Sequence, residues 1–491
     1  MELTSPSLQQ AMAPIPSSFP LTNCTVYPSR PSPVERYDLT PWDLAMLSVH
    51  YIQKGVLLGQ APTSLSSVLD GLKVSLADCL AHFVPLAGRL ATHTDGSIYI
   101  HCNDAGAAFI HAKATHLTVD DIVASPYVTD DVKSFFALDG VIGHDGHKLP
   151  LLAVQVSGIS VCAFASAILL HAIQHVWTLK FICIGHPLFA NNGLLNHEQV
   201  TELSDGLFIG CSMNHAVGVG SSFWHFFNSW AEISRGDGNS LKISRPPVLE
   251  PWFLRDRHIA MHLSEDTLER YSPPPLPERF FHFSTRSIAL LKHKANMHID
   301  EDVSSKISSL QSLTALMWRA VTRAHGLPTT QTTKCGQAVG NRSRLSPPLS
   351  PDYFGNSIQG IVASATVGEL LSQDLAVASL LQQATLGHTN VSVRAHLEAW
   401  MKAPRQNHFS DFDPFSIMFG GSPRFSMYQN DFGWGTPLVV RSGNANKFDG
   451  RIYAYQGRER EGSIDIELCL APQSMTALES DQEFLEAVTE L

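Results

Sequence analysis

Along this chain the apolar positions switch between helical and strand spacing, with proline and glycine between the runs. Leu65, Leu69, Leu72, Leu76 and Leu80 recur at three- and four-residue steps, which predicts an amphipathic helix with its apolar stripe against a core. The helix must stop where Phe83-Val84-Pro85-Leu86-Ala87-Gly88-Arg89-Leu90 brings in proline and glycine, and the chain re-enters a sheet. Upstream, Asp38 to Leu47 reads as an extended entry followed by a helical turn, with Thr40 placed to cap it and Pro41 at the favoured first helical position. Residues 97–101 and 149–155 read as strands. Further on, Leu310, Leu313, Leu316, Met317 and Ala320 mark a second strong helix, and Ser463 to Leu470 alternates apolar and polar as a half-buried strand does. A closing helix begins near Ser474.

A chain of 491 residues is too long for one ordinary core, so two domains are expected. The break falls at 236–280, where Gly236, Gly238, Pro246-Pro247, Pro251 and Pro273-Pro274-Pro275 cannot hold a long helix. This makes 21–235 an N-terminal domain, 236–280 a crossover linker and 281–491 a C-terminal domain, with residues 1–20 Pro/Ser-rich and disordered. One stretch does not fit. Residues 156–199 interrupt what would otherwise run on from Leu151-Leu152-Ala153-Val154-Gln155 to Val200-Thr201-Glu202-Leu203. Val156-Ser157 is what a splice donor GTGAGT or GTAAGT would encode, the glutamine codon CAG at Gln199 would match an acceptor, and the Phe/Ile/Leu/Val/Cys-rich interior fits translated T-rich DNA. The segment therefore reads as a retained intron that keeps the frame. As translated chain, its apolar run Ile159–Leu170 is too short for a membrane span. Its His171 and His175 lack the intervening glutamate of a zinc helix.

Hydrophobic residues at 44% and charged residues at 16%, with mean hydropathy near zero, describe a well-packed globular protein without a membrane span. A formal charge of −11 argues against a nucleic-acid partner, which would need a basic surface. The eight cysteines are scattered with no CxxC, so reduced thiols in a cytoplasmic setting are expected. The first residues, Met1-Glu2-Leu3-Thr4-Ser5, lack the basic flank and apolar core of a signal peptide.

The chemistry-bearing strings are few. Met213-Asn214-His215-Ala216-Val217-Gly218-Val219-Gly220 sets one histidine between an apolar run and a Gly-rich turn, and Asn430-Asp431-Phe432-Gly433-Trp434-Gly435-Thr436-Pro437 follows much later. Together they resemble the BAHD family of acyl-CoA-dependent acyltransferases, whose marks are HxxxDG and DFGWG. PLAGRL, the run Gly340-Asn341-Arg342-Ser343-Arg344-Leu345 and the run Tyr353-Phe354-Gly355-Asn356 look like the same family in the same order. Trp42 to Gly55 looks like its plant subgroup of uncharacterised acetyltransferases. One letter departs: the family's aspartate position holds Val219.

The resemblance implies an α/β fold of two domains, similar to chloramphenicol acetyltransferase, with a channel between them. It implies acyl-CoA as co-substrate, a small-molecule acceptor, a monomer, and no bound cofactor or metal. Transfer from a thioester to an alcohol or amine needs a base for the acceptor's proton, and neutral histidine suits that at pH 7. The motif carries this role to His215, with Gly220 closing the turn. The family aspartate pairs structurally with an arginine, so Val219 leaves Arg342 or Arg344 without a counter-ion. Asp431, Gly433 and Gly435 are expected to be structural, the glycines for tight backbone and Asp431 for capping amides. Trp434 is expected to line the CoA channel or to donate its N–H towards the thioester oxygen. Gly218-Val219-Gly220 is not a dinucleotide loop, because Phe223 holds the third glycine position, and no GxSxG or P-loop occurs. Two other functions stay open, a homologue disabled by Val219 and the 156–199 segment, and a pocket turned to lyase chemistry.

Overall fold

The computed structural model describes residues 19–159, 205–236, 242–254, 267–272, 274–297 and 306–489. Its strands in chain order are β1 (Phe19–Val26), β2 (Arg36–Asp38), β3 (Ile52–Gly59), β4 (Arg89–Thr92), β5 (Ile98–His101), β6 (Ala107–Ala114), β7 (Leu152–Ile159) and β8 (Gly206–Met213). The second half adds β9 (Glu278–Phe283), β10 (Thr332–Gly340), β11 (Ile358–Thr366), β12 (Ile417–Gly421), β13 (Val439–Ser442), β14 (Arg451–Gln456) and β15 (Ile464–Cys469). They form two six-stranded sheets, ordered β1-β6-β7-β8-β3-β13 and β11-β10-β12-β14-β15-β9, and a small sheet β2-β5-β4.

The periodic leucines form α2 (Leu65–Leu80), which buries Leu69, Leu72, Leu76 and Leu80. Before it, the short helix α1 (Pro41–Leu44) starts with the reciprocal capping box of Thr40 and Asp43. PLAGRL becomes a single 3-10 turn, Val84–Ala87, feeding β4. A Cβ on Gly88 would stand 2.6 Å from the carbonyl of His101, so glycine is required by close approach to β5. Helix α3 (Gly220–Arg235) packs on α2, and Trp230 donates its indole N–H to Ser75 Oγ at 3.1 Å. The second apolar repeat forms α4 (Ser309–His325), ended by Gly326 at φ 62°.

Two boundaries differ from those expected. The crossover ends before 280, because Glu278 already pairs with Cys469 at the edge of the second sheet. The C-terminal part also does not stay on its own side: β13 leaves it and pairs antiparallel with β3 of the first sheet, Val439 opposite Leu57. A buried charge network fastens this exchange. Glu467 on β15 bonds Lys447, Ser442 on β13 and Tyr455, and lies 3.9 Å from Lys54 on β3. Lys447 also meets Glu278 at 2.7 Å, and Glu278 meets Lys133 at 2.9 Å. Burial works to raise the Glu467 pKa, but Lys447 and Lys54 override it and hold the carboxylate ionised.

The anomalous segment also starts later in the fold than in the sequence pattern. Strand β7 runs on through Val156-Ser157-Gly158-Ile159, in register with β8 down to Ile159 opposite Gly206. Those four residues stand where Val200-Thr201-Glu202-Leu203 would stand in a chain lacking 156–199. Val matches Val, Ser matches Thr and Ile matches Leu, with Gly158 against Glu202 the one unlike pair. The apolar run up to Leu170, apart from Ile159, and His171 and His175 lie outside the described residues. Among the described residues no helix is long and apolar enough to cross a membrane.

Deletion of 156–199 is expected to preserve the fold, with Val200–Leu203 completing β7 and Ser204-Asp205 turning directly into β8. Replacing a connection roughly twenty times longer lowers the loop-closure cost by about 3 kcal/mol. Soluble yield and Tm of the deleted chain should exceed those of the full chain; a deleted chain that fails to fold would show that the segment belongs to the native protein.

Candidate active site

The end of β8 delivers His215, and Asn214 shapes the delivery. Fully buried, Asn214 donates through Nδ2 to the carbonyl of Gly143 at 2.7 Å and accepts the N–H of Ala216 at 2.9 Å. The chain therefore turns sharply after Asn214, leaving His215 on the wall of a cavity of about 600 Å³ lined from both six-stranded sheets. Trp42, Phe223, Trp224, Phe409 and Tyr453 make much of that wall aromatic.

The main chain at His215 is held from elsewhere in the sequence. Asn356, from the Tyr-Phe-Gly-Asn string, donates through Nδ2 to the His215 carbonyl at 2.7 Å. The same amide nitrogen and the Asn356 backbone N–H reach Asp43 Oδ1 at 2.9 and 2.8 Å. Asp43 Oδ2 in turn accepts the backbone N–H of Thr40 at 2.8 Å. Burial raises the Asp43 carboxyl to about 6 against the pull of these hydrogen bonds.

The His215 ring faces the cavity while Nδ1 is sealed from solvent and makes no hydrogen bond to any other described residue. Burial lowers its pKa to about 4, its own carbonyl partly offsetting this and the charge of Arg451 adding to it. The imidazole is accordingly neutral across the physiological range, the state a proton acceptor needs. Lys54, on the same cavity wall, is pushed down to about 7 by burial, with Glu467 resisting.

Val219 is the N-cap of α3, extended at φ −98° and ψ 176°, and its side chain caps nothing. Arg342 stands against the first turn of that helix: Nη2 donates to Ser222 Oγ at 3.2 Å and to the carbonyls of Tyr353 and Gly355 at 3.0 and 3.2 Å. Its Nε is buried without a partner, and no carboxylate among the described residues pairs with it. A cation beside the positive end of an uncapped helix is unfavourable on two counts, the open N–H groups and the helix dipole. Arg344 lies elsewhere, donating to the carbonyls of His388 and Gly340, so Arg342 is the arginine that faces the Val219 end of α3. Gly220 is the first helical residue, and a Cβ there would come within 3.0 Å of the Phe425 ring at the cavity wall.

The DFGWG string sits at the other end of α3, roughly 24 Å away along its sixteen residues. Asp431 Oδ1 accepts the N–H groups of Gly433 and Gly435 at 2.8 and 3.0 Å, and those glycines hold φ 112° and 118°. Arg235 donates to the Asp431 carbonyl at 2.6 Å, and Phe432 packs edge-on against Trp230 with centroids 4.9 Å apart. Trp434 lies against Phe432 and is absent from the cavity wall, and its indole N–H has no described partner. Trp434 thus packs against Phe432 at the far end of α3 and is not on the wall of the cavity that holds His215. Asp43 and Asn356, which position His215, carried no role in the sequence reading. The signals available were the Thr40-Pro41-Trp42-Asp43 cap and the Tyr353-Phe354-Gly355-Asn356 string.

A model of the Transferase family matches residues 21–175 and 192–485, leaving a gap inside the anomalous segment. The chain is 35% identical over 468 residues to an uncharacterized acetyltransferase of Arabidopsis thaliana, covering 92% of this chain and 94% of that protein. It is 33% identical to the BAHD acyltransferase DCR of the same plant, covering 92% and 88%. The chain belongs to the BAHD acyltransferase family. The crystal structure of vinorine synthase is similar with a TM-score of 0.68 at 20% identity, covering 96% of this chain and 98% of that one. F. graminearum TRI101 complexed with ethyl coenzyme A reaches 0.67 at 16%, covering 92% and 99%. This BAHD acyltransferase therefore has the two-domain, chloramphenicol acetyltransferase-like α/β fold. Among its described residues no cluster of His, Cys, Asp or Glu has the makings of a metal site, and the described cysteines are free thiols.

Two outcomes test this geometry. Val219→Asp is expected to cap α3 and give Arg342 a counter-ion, stabilising the protein by about 1–3 kcal/mol and raising turnover; Tm and acyl-transfer rates measured together check it. Asn356→Ala removes the side-chain donor to Asp43, leaving the backbone N–H groups of residue 356 and Thr40 in place, and frees the His215 carbonyl; it is expected to cost about 1–3 kcal/mol in urea unfolding with a larger loss in kcat than in KM.

Proposed function

We propose that this BAHD acyltransferase moves an acyl group from acyl-CoA to a hydroxyl or amine of a small metabolite, with His215 as general base. The observation that carries the reading is a neutral, cavity-facing imidazole in a cavity lined by both sheets. The acceptor's O–H or N–H gives its proton to the ring as the oxygen or nitrogen attacks the thioester carbonyl. The tetrahedral intermediate collapses by breaking the C–S bond, and the proton passes to the departing CoA sulfur. No covalent acyl-enzyme is required, so both substrates occupy the cavity together. Vinorine synthase and the TRI101 complexes with CoA, including those with T-2 mycotoxin and deoxynivalenol, are similar in fold, which supports a donor and an acceptor meeting in one chamber. The acyl group and the acceptor stay general, as does a cytoplasmic, monomeric enzyme.

A second reading has a specific observation behind it. With Val219 at the uncapped start of α3 and Arg342 lacking a carboxylate partner among the described residues, the loop presenting His215 is less firmly held, which describes an impaired homologue. Release of free CoA from acetyl-CoA and longer acyl-CoAs over an alcohol and amine panel separates the two. His215→Ala is expected to abolish release, by at least about 10²-fold. The acid limb of kcat/KM should lie near pH 4 rather than near 6.5, because the base stays deprotonated until the pH falls to its lowered pKa. An acid limb near 6.5, or release that survives His215→Ala, removes His215 from the role of base.

A further inference from the structure

The cavity that holds His215 also holds an unmatched cation. Arg451, the first residue of β14, lines it with its side chain clamped between two rings, the guanidinium 4.4 Å from the Tyr453 centroid and 5.6 Å from that of Phe448. Its Nε is buried and has no hydrogen-bond partner, and the side chain forms no ion pair with any described residue. The nearby carboxylates are engaged elsewhere. Asp449 accepts the N–H of Ala471 at 2.9 Å and faces His325, Glu467 is taken by Lys447 and Lys54, and Asp413 is bonded to Ser416. Asp411 reaches the cavity only at an exposed position. Glycine at 420 leaves the space this fork fills, since a Cβ there would lie 2.7 Å from Nη2.

Arg451 is half-buried, and its Nε is sealed from solvent without an acceptor, a cost that the ring faces offset only in part. Its rigid fork matches a carboxylate, and the aromatic clamp removes most of the rotamer freedom that binding would otherwise have to freeze. Arg451 is also near enough to His215 for its charge to depress the ring's basicity. In acyl-CoA the pantetheine arm keeps the phosphates well away from the thioester carbon, so an anion beside the base belongs to the acceptor or to the acyl chain.

We propose that Arg451 is a specificity-determining residue that binds a carboxylate on the small molecule brought to His215, so that the enzyme selects a carboxylate-bearing substrate with an apolar or aromatic body. This rests on the acyl-transfer reading for its chemistry and on Arg451 alone for its selectivity.

The test uses the full chain and paired aromatic hydroxy and amino acids with their methyl esters, 4-hydroxyphenylacetic acid among them. Each pair is scored by CoA release with acetyl-CoA as donor and by direct calorimetric binding. At least one acid should be preferred to its ester. Arg451→Met should cut that preference about 10- to 100-fold, as expected for a hydrogen-bonded charge. Arg451→Lys, which keeps the charge without the fork, should retain part of it. A parallel arm compares malonyl-CoA with acetyl-CoA on a neutral alcohol; a preference lost there instead assigns the carboxylate to the acyl chain. No acid or malonyl preference in the unmodified enzyme, or a preference that Arg451→Met leaves intact, overturns the proposal. A uniform rise in KM for every acyl-CoA with both ratios unchanged also overturns it, assigning Arg451 to CoA phosphate. CoA release that persists in His215→Ala would defeat the base assignment while leaving the Arg451 ratios to stand by themselves.

Discussion

The active-site geometry depends on one buried carboxylate, Asp43. It accepts from the backbone of Thr40 and from both nitrogens of Asn356, and Asn356 passes the constraint to the carbonyl of His215. Three segments far apart in the chain are thereby fixed at a single point. A buried carboxylate without donors would cost several kcal/mol, so the arrangement is strongly cooperative: each donor is needed to keep the charge, and the charge orders each donor. Backbone position at His215 follows from side chains that lie off the cavity wall.

The cavity exists because the two large sheets are interlocked. Strand β13 crosses from the second half of the chain to extend the first sheet, and Glu467 stitches the crossing by holding Lys447, Lys54 and Ser442 in a region closed to water. Buried ion pairs are a poor source of net stability, yet removing one partner strands the others, so such a network specifies one docking arrangement more than it strengthens it. Lys54 and Arg451 reach the cavity from opposite sheets. The charge of the chamber is consequently a property of the docked pair.

Helix α3 connects the two motifs and distributes stress unequally between its ends. At its C-terminus, Arg235 and the aromatic contact of Trp230 with Phe432 hold the DFGWG loop firmly. At its N-terminus, Val219 offers no side-chain cap, and Arg342 beside it has no carboxylate partner among the described residues. The weak point of the structure thus lies at the histidine and not at the more distinctive DFGWG string.

Much of this was legible in the chain itself. Leucine spacing gave the α2 and α4 helices, since a 3.6-residue period needs no distant partner to be read. His215 followed from its motif, as did the loss of its aspartate. The Asx-type turn at Asp431 is local chemistry of a carboxylate two and four residues from glycines, and it is present as expected. Tertiary structure alone decided the rest. Trp434 packs on Phe432 and not on the cavity wall, Arg342 and not Arg344 meets α3, and Asn356 with Asp43 holds the His215 carbonyl. Strand β7 extends to Ile159 because Val156-Ser157-Gly158-Ile159 can pair with β8 as the later Val-Thr-Glu-Leu could. Each of these depends on which residues meet after docking, across separations that local periodicity does not encode. Arg451 is the clearest case: in sequence one more surface-like arginine, in the fold a cation clamped by two rings on the wall of the cavity that His215 also lines.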